Sequence, residues 1–103
     1  MYIVDTDSLF SMEVINLCGG TQLGCMSGLE LDVAQSPPCV LFLIVPADRG
    51  GSLLSFRKRD VYRIPWCRVE CVGEDTILVK LAPSELAECR TNSSVRKNRQ
   101  GNL

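Results

Sequence analysis

The stretch that decides the fold is "VYRIPWCRVECVGEDTILVKL", residues 61–81. It begins with an alternating strand pattern, and Pro65 ends the pairing because proline has no N–H to donate. A second strand pattern follows, and Gly73 then opens a turn. Residues 76–81 alternate again, with their apolar side chains on one face. We therefore expect three short strands, with Gly73 in a turn and with Pro65 and Trp66 as a corner that caps one end of the sheet.

The residues before this stretch also favour strands. "MEVINL" (12–17) has a strand pattern, and "QLGCMSGLELD" (22–32) alternates with a period of two over its whole length. Gly24 and Gly28 weaken a regular strand and often mark a bulge or a sharp bend. The alternation predicts a half-buried strand whose inner face carries Leu23, Cys25, Leu29 and Leu31.

The strand "CVLFLIV" (39–45) is apolar on both faces. A small barrel has one interior, so only one of the two alternating sets can fill it. The other set must be covered by the segment "APSELAEC", by the "SLLSF" arm or by another chain. We expect the outward set to contribute to a homodimer or to an interface with a protein partner. That set is Val40, Phe42 and Ile44, or the alternate set Leu41, Leu43 and Val45.

About six short strands with glycine and proline punctuation predict an all-β fold, a small closed or partly closed β-barrel. We expect one domain over residues 1–89 with its core at 11–81, a short turn or helix at 82–89, and a polar, basic, disordered tail at 90–103. The expected core is Val14, Leu23, Cys25, Leu29, Leu31, Leu41, Leu43, Ile64, Ile77 and Val79, or the opposite face of the 39–45 strand.

Composition places the chain among globular proteins, with 103 residues, 46% hydrophobic side chains and a net charge of −1. The longest apolar run, residues 40–45, is too short to span a bilayer, and the N-terminus lacks the basic region of a secretory signal. We therefore expect a cytoplasmic protein without membrane insertion. The charges are polarised, because residues 1–48 carry acids but no lysine or arginine, whereas 49–68 and the tail are basic.

The six cysteines, in a chain without histidine, do not have the spacing of a zinc site. Cys67 and Cys71 would lie about 13 Å apart on a regular strand, which is too far for one ion. A cysteine nucleophile needs a neighbouring base or cation, but the chain has no histidine, and Arg68 beside Cys67 is only a weak signal. We expect no metal, no cofactor and no catalytic residue, with Cys25, Cys39 and Cys71 acting as small core hydrophobes.

Basic and aromatic residues interleave between positions 56 and 66. This pattern is compatible with packing at the barrel end, with a protein-docking surface, or with single-stranded nucleic acid, whose bases stack on rings beside cations. A slightly acidic chain without an RNA-binding motif makes nucleic acid the less favoured partner. The candidate interaction residues in this region are Arg57, Lys58, Arg59 and Arg63.

Five pieces of the sequence, in order, resemble the PRC-barrel family, which includes the YlmC/YmxH-type sporulation proteins. They are "EVIN" (13–16), "LGCMSGLELD" (23–32), "LIVP" (43–46), "YRIPW" (62–66) and "VGEDTILV" (72–79). The resemblance implies a small β-barrel of about six strands and a role as an adaptor or assembly domain rather than an enzyme. Relatives carry an acid where this chain has Ser27 and Gly28, so a contact made by that acid is not implied here.

Together these observations predict a non-enzymatic protein-interaction module of PRC-barrel type that acts in sporulation and has an unidentified protein partner. The alternative is a small RNA- or ribonucleoprotein-binding barrel that uses the basic 57–63 loop and the tail. A thiol or metal protein is a third hypothesis, kept because six cysteines are many.

Overall fold

A computed structural model describes residues 1–47 and 60–92. Within these ranges the chain forms eight short strands, arranged in two four-stranded sheets, and two short helices. The helices are α1 (Thr6–Ser11) and α2 (Pro83–Cys89). The strands are β1 (Glu13–Asn16), β2 (Thr21–Cys25), β3 (Gly28–Asp32), β4 (Cys39–Pro46), β5 (Asp60–Pro65), β6 (Val69–Val72), β7 (Thr76–Val79) and β8 (Arg90–Asn92).

The first sheet has the strand order β2-β1-β7-β6. β1 pairs antiparallel with β2 and parallel with β7, and β7 pairs antiparallel with β6. The second sheet has the order β3-β4-β5-β8, and all of its pairs are antiparallel. At the end of β5 the 3₁₀ turn Trp66–Arg68 carries the chain from the second sheet into β6 of the first.

The hydrophobic core is formed by side chains of both sheets together with residues that flank the strands. Leu43, Val45 and Ile64 come from the second sheet, and their side chains are fully buried. The other members are Met12, Val14, Leu23, Met26, Ile77, Val79 and Leu81. This burial follows the alternation of the sequence, because every second residue of a strand faces the same side.

The all-β prediction is confirmed, but the two sheets do not close into a barrel. In the described part of the chain β2, β6, β3 and β8 are edge strands. The strand count also differs from the expected six. The stretch 22–32 is two strands rather than one, because the chain leaves the first sheet at Cys25 and enters the second at Gly28.

The predictions for Cys25, Leu31 and Leu41 as core residues are wrong, because all three side chains are exposed. A bulge explains Cys25. Val14 pairs with Gly24 and Ile15 with Gln22, so one extra residue of β2 enters the ladder and Leu23 and Cys25 fall on opposite faces. Gly24 adopts a φ of 98°, which glycine tolerates without strain.

A second bulge explains Leu41, and the position of Leu31 at the turn end of the β3–β4 hairpin explains its exposure. Glu30 pairs with Phe42 and Leu31 with Val40, which leaves Leu41 as the extra residue of β4. Leu31 is 52% exposed and Leu41 is 43% exposed. Both lie toward the turn of the β3–β4 hairpin, whereas the buried residues of β4 are at its other end.

The predicted helical turn at 82–89 corresponds to α2. Helix α1, which the sequence analysis did not predict, begins after Asp5, whose carboxylate accepts the Ser8 N–H at 2.9 Å. Within residues 1–47 and 60–92, no helix has the length and hydrophobicity that are needed to span a bilayer.

Three residues assigned to the disordered tail instead form β8, which pairs with β5. The Arg90 side chain is held by Asp60, with 3.1 Å between Nε and Oδ2. The rest of that tail prediction concerns residues 93–103, which lie outside the described residues.

Candidate functional site

The candidate site is the surface of the second sheet that points away from the core. Leu43, Val45 and Ile64 face inward, so their chain neighbours on β4 and β5 face outward. Cross-strand pairing places Phe42 beside Glu30 and Ile44 beside Arg63. We call the surface formed by Glu30, Phe42, Ile44 and Arg63 the outer face.

Arg63 is fixed in position on the outer face. Its Nε and Nη2 both donate to Glu30 Oε1, at 3.0 and 2.8 Å. Its guanidinium carbon lies 4.1 Å from the centre of the Phe42 ring, which is the geometry of a cation–π contact. Arg63 therefore reaches across β4 to join β5 to β3, and it presents a positive charge beside an aromatic ring.

Phe42 and Ile44 of the predicted outward set face outward, because Leu43 and Val45 are fully buried. The Phe42 and Ile44 side chains are half-buried. The prediction for Val40 is wrong, because Val40 lies beyond the bulge and pairs with Leu31, on the side opposite to Glu30 and Phe42. Arg57, Lys58 and Arg59, the other candidate interaction residues, lie outside the described residues.

A second ion pair orders the start of α2. Arg68 Nη1 lies 3.0 Å from Glu85 Oε1, and it also donates to the Lys80 carbonyl at 3.1 Å. The same Glu85 oxygen accepts the Ala82 N–H at 2.8 Å, which caps the helix. The Arg68 hydrogen bond, followed by that from Ala82, lowers the pKa of Glu85 to about 2.

A groove with a volume of about 470 Å³ lies between the outer face and α2. Phe42 and Pro65 supply apolar surface, and α2 contributes Glu85 and Glu88. Three arginines also line the groove, and each is paired with a carboxylate: Arg63, Arg68 and Arg90. The groove is therefore a mixed surface in which apolar side chains lie beside ordered charges.

The predicted corner and turn residues, Pro65, Trp66 and Gly73, all lie at the ends of strands. Pro65 ends β5, and Trp66 begins the 3₁₀ turn and packs, half-buried, against the core. Gly73 N donates to the Thr76 carbonyl at 2.8 Å, and Gly73 O accepts the Tyr2 hydroxyl at 2.8 Å. A Cβ added at Gly73 would lie 3.4 Å from the Thr76 carbonyl oxygen, which is ordinary van der Waals contact.

Asn16 has a structural role that the sequence analysis missed. Its side chain is buried, donates through Nδ2 to the Leu81 carbonyl at 2.9 Å, and accepts the Leu81 N–H at 3.0 Å. The same Oδ1 accepts the Cys18 N–H at 3.2 Å. The sequence contained a signal for this role. Asn16 lies two residues after Val14 and so on the same buried face of the strand, where a side-chain amide needs hydrogen-bond partners.

The six cysteines are free thiols. Cys25, Cys39 and Cys71 are exposed, so the prediction that they are core hydrophobes is wrong. Cys39 lies at the turn end of the β3–β4 hairpin, and Cys71 lies on the edge strand β6. Among the residues that the structure describes, no three cysteine or acidic side chains converge on one point that could hold a metal ion.

Comparison with known proteins identifies two relatives. An uncharacterized protein of Clostridium acetobutylicum is 33% identical over 73 residues, which cover 71% of this chain and 79% of that protein. The probable sporulation protein YlmC of Bacillus subtilis is 30% identical over 70 residues, which cover 68% of this chain and 83% of that protein. No family model and no solved structure matches the chain. Because most of each sequence is covered at this identity, the chain belongs to the family that includes the probable sporulation protein YlmC.

Proposed function

We propose that this chain is a cytoplasmic, non-enzymatic protein-interaction module of PRC-barrel type that acts in sporulation and docks on its partner through the outer face. The observation that carries the proposal is the composition of that face. A stable sheet needs one of its faces covered by apolar packing. In the second sheet the hydrophobic core already covers the inner face. The outward side of β4 is nevertheless apolar.

The side chains of the outer face suit a protein interface. Protein interfaces have an apolar or aromatic centre and a polar rim. Phe42 and Ile44 would form such a centre, and the ion pair between Arg63 and Glu30 would lie at its rim. Because both charges already have partners, covering them would leave neither one unpaired.

The assignment to sporulation and to the PRC-barrel type has two supports. One is the printed name of the relative from Bacillus subtilis, a probable sporulation protein. The other is the resemblance of five sequence pieces to PRC-barrel domains, from "EVIN" (13–16) to "VGEDTILV" (72–79). The matching relatives cover about 70% of the chain.

RNA binding is the weaker alternative. RNA affinity depends on cations that can neutralise phosphates. Arg63, Arg68 and Arg90 are each engaged by a carboxylate. Neutralising a phosphate with one of them would compete with an existing ion pair.

The proposal is tested by affinity purification of the tagged chain from sporulating and vegetative Bacillus subtilis cells, with quantitative mass spectrometry. Wild type is compared with Phe42→Glu, which places a charge in the centre of the outer face, and with Glu70→Lys on β6 as a matched surface control. We expect a protein that is enriched from sporulating cells by wild type and Glu70→Lys but not by Phe42→Glu. Equal enrichment by all three chains would contradict docking through the outer face.

A further inference from the structure

The part of the chain that the structure describes is strongly acidic, and the segment that follows it is basic. Residues 1–47 and 60–92 carry eleven aspartates and glutamates but four lysines and arginines, which gives a formal net charge of −7. We call residues 93–103 the basic segment, because they carry three cations and no acid: Arg96, Lys97 and Arg99. Opposite charges attract the two parts, and their covalent link keeps the basic segment at a high effective concentration near β8.

The groove between the outer face and α2 contains an acid without a cation beside it. Glu88 lines the groove, is exposed, and has no ion-pair partner among residues 1–47 and 60–92. The three arginines that line the groove are each paired with a carboxylate, so their charges are largely compensated. The described groove therefore has one uncompensated negative charge, which favours a cationic occupant.

The last described strand leads from this groove into the basic segment. Thr91 lines the groove, and Asn92 is the last residue of β8. Glu88 precedes Asn92 by four residues, so their Cα atoms are at most about 14 Å apart. Arg96 follows Asn92 by four residues and has the same reach. Two serines come directly after Asn92 and favour a turn, so a chain that reverses there can bring Arg96 back to Glu88.

The basic segment is also long enough to lie along the groove. Asn92 pairs with the first residue of β5 and Phe42 with the last, so the two lie about 17 Å apart along that strand. Arg99 follows Asn92 by seven residues and can lie up to about 24 Å from it. Residues 93–99 can therefore extend from β8 to the Phe42 side of the groove.

We propose that residues 93–99 bind in this groove of the same molecule, with Arg96 or Lys97 paired with Glu88. A segment that reaches Phe42 covers part of the outer face, so a partner that docks there has to displace it. This competition rests on the proposed function. The intramolecular contact itself does not, and it can be tested without a partner.

The test is NMR of the full chain labelled with ¹⁵N, in which a charge is removed on one side of the contact and the amides of the other side are observed. Glu88→Gln should shift the amides of residues 95–99, because losing an exposed ion pair lowers the ratio of bound to free segment about threefold. The matched control is Glu70→Gln on β6, which removes an equally exposed acid outside the groove and should leave those amides unchanged.

The reciprocal variant replaces the three cations of the basic segment with glutamine: R96Q, K97Q and R99Q. It should shift the amides of residues 86–91. Its control makes the same three charge losses elsewhere, with R57Q, K58Q and R59Q, and should leave residues 86–91 unchanged. The two variants have the same net charge, so a difference between them reports the position of the cations.

Unchanged amides at 95–99 in Glu88→Gln, or equal shifts with Glu70→Gln, overturn the inference. Equal shifts of residues 86–91 in the two triple variants also overturn it, because the effect would then not be specific to the basic segment. Each of these results leaves the proposed function standing if affinity purification still depends on Phe42. Conversely, capture that does not depend on Phe42 rejects the outer face as a docking site and leaves the intramolecular contact to the NMR result.

Discussion

Asn16 offers the sharpest test of how the fold is held together. Its side chain makes three hydrogen bonds to main-chain groups, and two of them go to Leu81, where β7 leads toward α2. Asn16→Ala removes all three and leaves the buried N–H and C=O of Leu81 without these partners. At about 1 kcal/mol for each bond, and more for buried groups left unsatisfied, the loss should be about 3–4 kcal/mol. Domains of this size have about 5–15 kcal/mol of stability in total.

Urea unfolding followed by circular dichroism measures this loss. Gln35→Ala is the matched control, because the Gln35 amide also makes a hydrogen bond, at 3.1 Å to Asp32, but is exposed. The control should change the free energy of unfolding by less than about 0.5 kcal/mol. A loss below 1 kcal/mol for Asn16→Ala, or one equal to that of the control, would refute the reasoning that this buried amide joins β1 to the segment after β7.

Three further predictions concern the corner, the outer face and the helix cap. Trp66→Ala should lower the free energy of unfolding by about 2–3 kcal/mol, less than for a fully buried tryptophan because the ring is half-buried; an unchanged melting temperature with loss of a partner would make Trp66 a surface anchor. In sedimentation velocity, Phe42→Glu should stay folded and monomeric; a folded monomer for wild type as well rejects self-association through this face, and an unfolded variant would place Phe42 in the core. Since the pKa of Glu85 is about 2 rather than the usual 4.5, its stabilising effect is complete above pH 4.5 and disappears as the pH falls toward 2. The gap in melting temperature between wild type and Glu85→Gln should therefore narrow from pH 6 to pH 2, and a constant gap would show that the carboxylate does not stabilise the cap.

Alternation alone was sufficient to predict much of the fold. Strands were expected around residues 61–64, 68–72 and 76–81, and the structure has β5, β6 and β7 there. The buried positions Leu43, Ile64 and Ile77 follow from the same pattern. A period of two is read directly from the sequence wherever a strand is regular.

The predictions failed where a strand is irregular. One extra residue in β2 and one in β4 shift the pairing, and each shift reverses the face of the residues beyond it. Gly24 signalled a bulge without giving its position in the ladder, and nothing in the sequence marked Leu41 as the extra residue. Cys25 and Leu41 were therefore assigned to the wrong environment. Leu31 keeps its expected face but is exposed, because it lies at the turn end of the β3–β4 hairpin.

The residues of the candidate site could be predicted from the sequence, but their contacts could not. Arg63 and Phe42 were each proposed from the sequence as interaction residues, but no contact between them was expected. Their contact with Glu30 depends on the order of β3, β4 and β5, because Arg63 reaches across β4 to the carboxylate. Such a contact over 33 positions cannot be inferred from local pattern, since it requires the sheet order and register.

The central claim, that a protein partner docks on the outer face, is tested most directly by site-specific photo-cross-linking in sporulating cells. A photoreactive benzoylphenylalanine replaces Ile44 on the outer face or, in a second strain, the exposed Leu17 at the end of β1. The account predicts one discrete light-dependent cross-linked protein from position 44 and none from position 17. Cross-links from position 17 alone would contradict it.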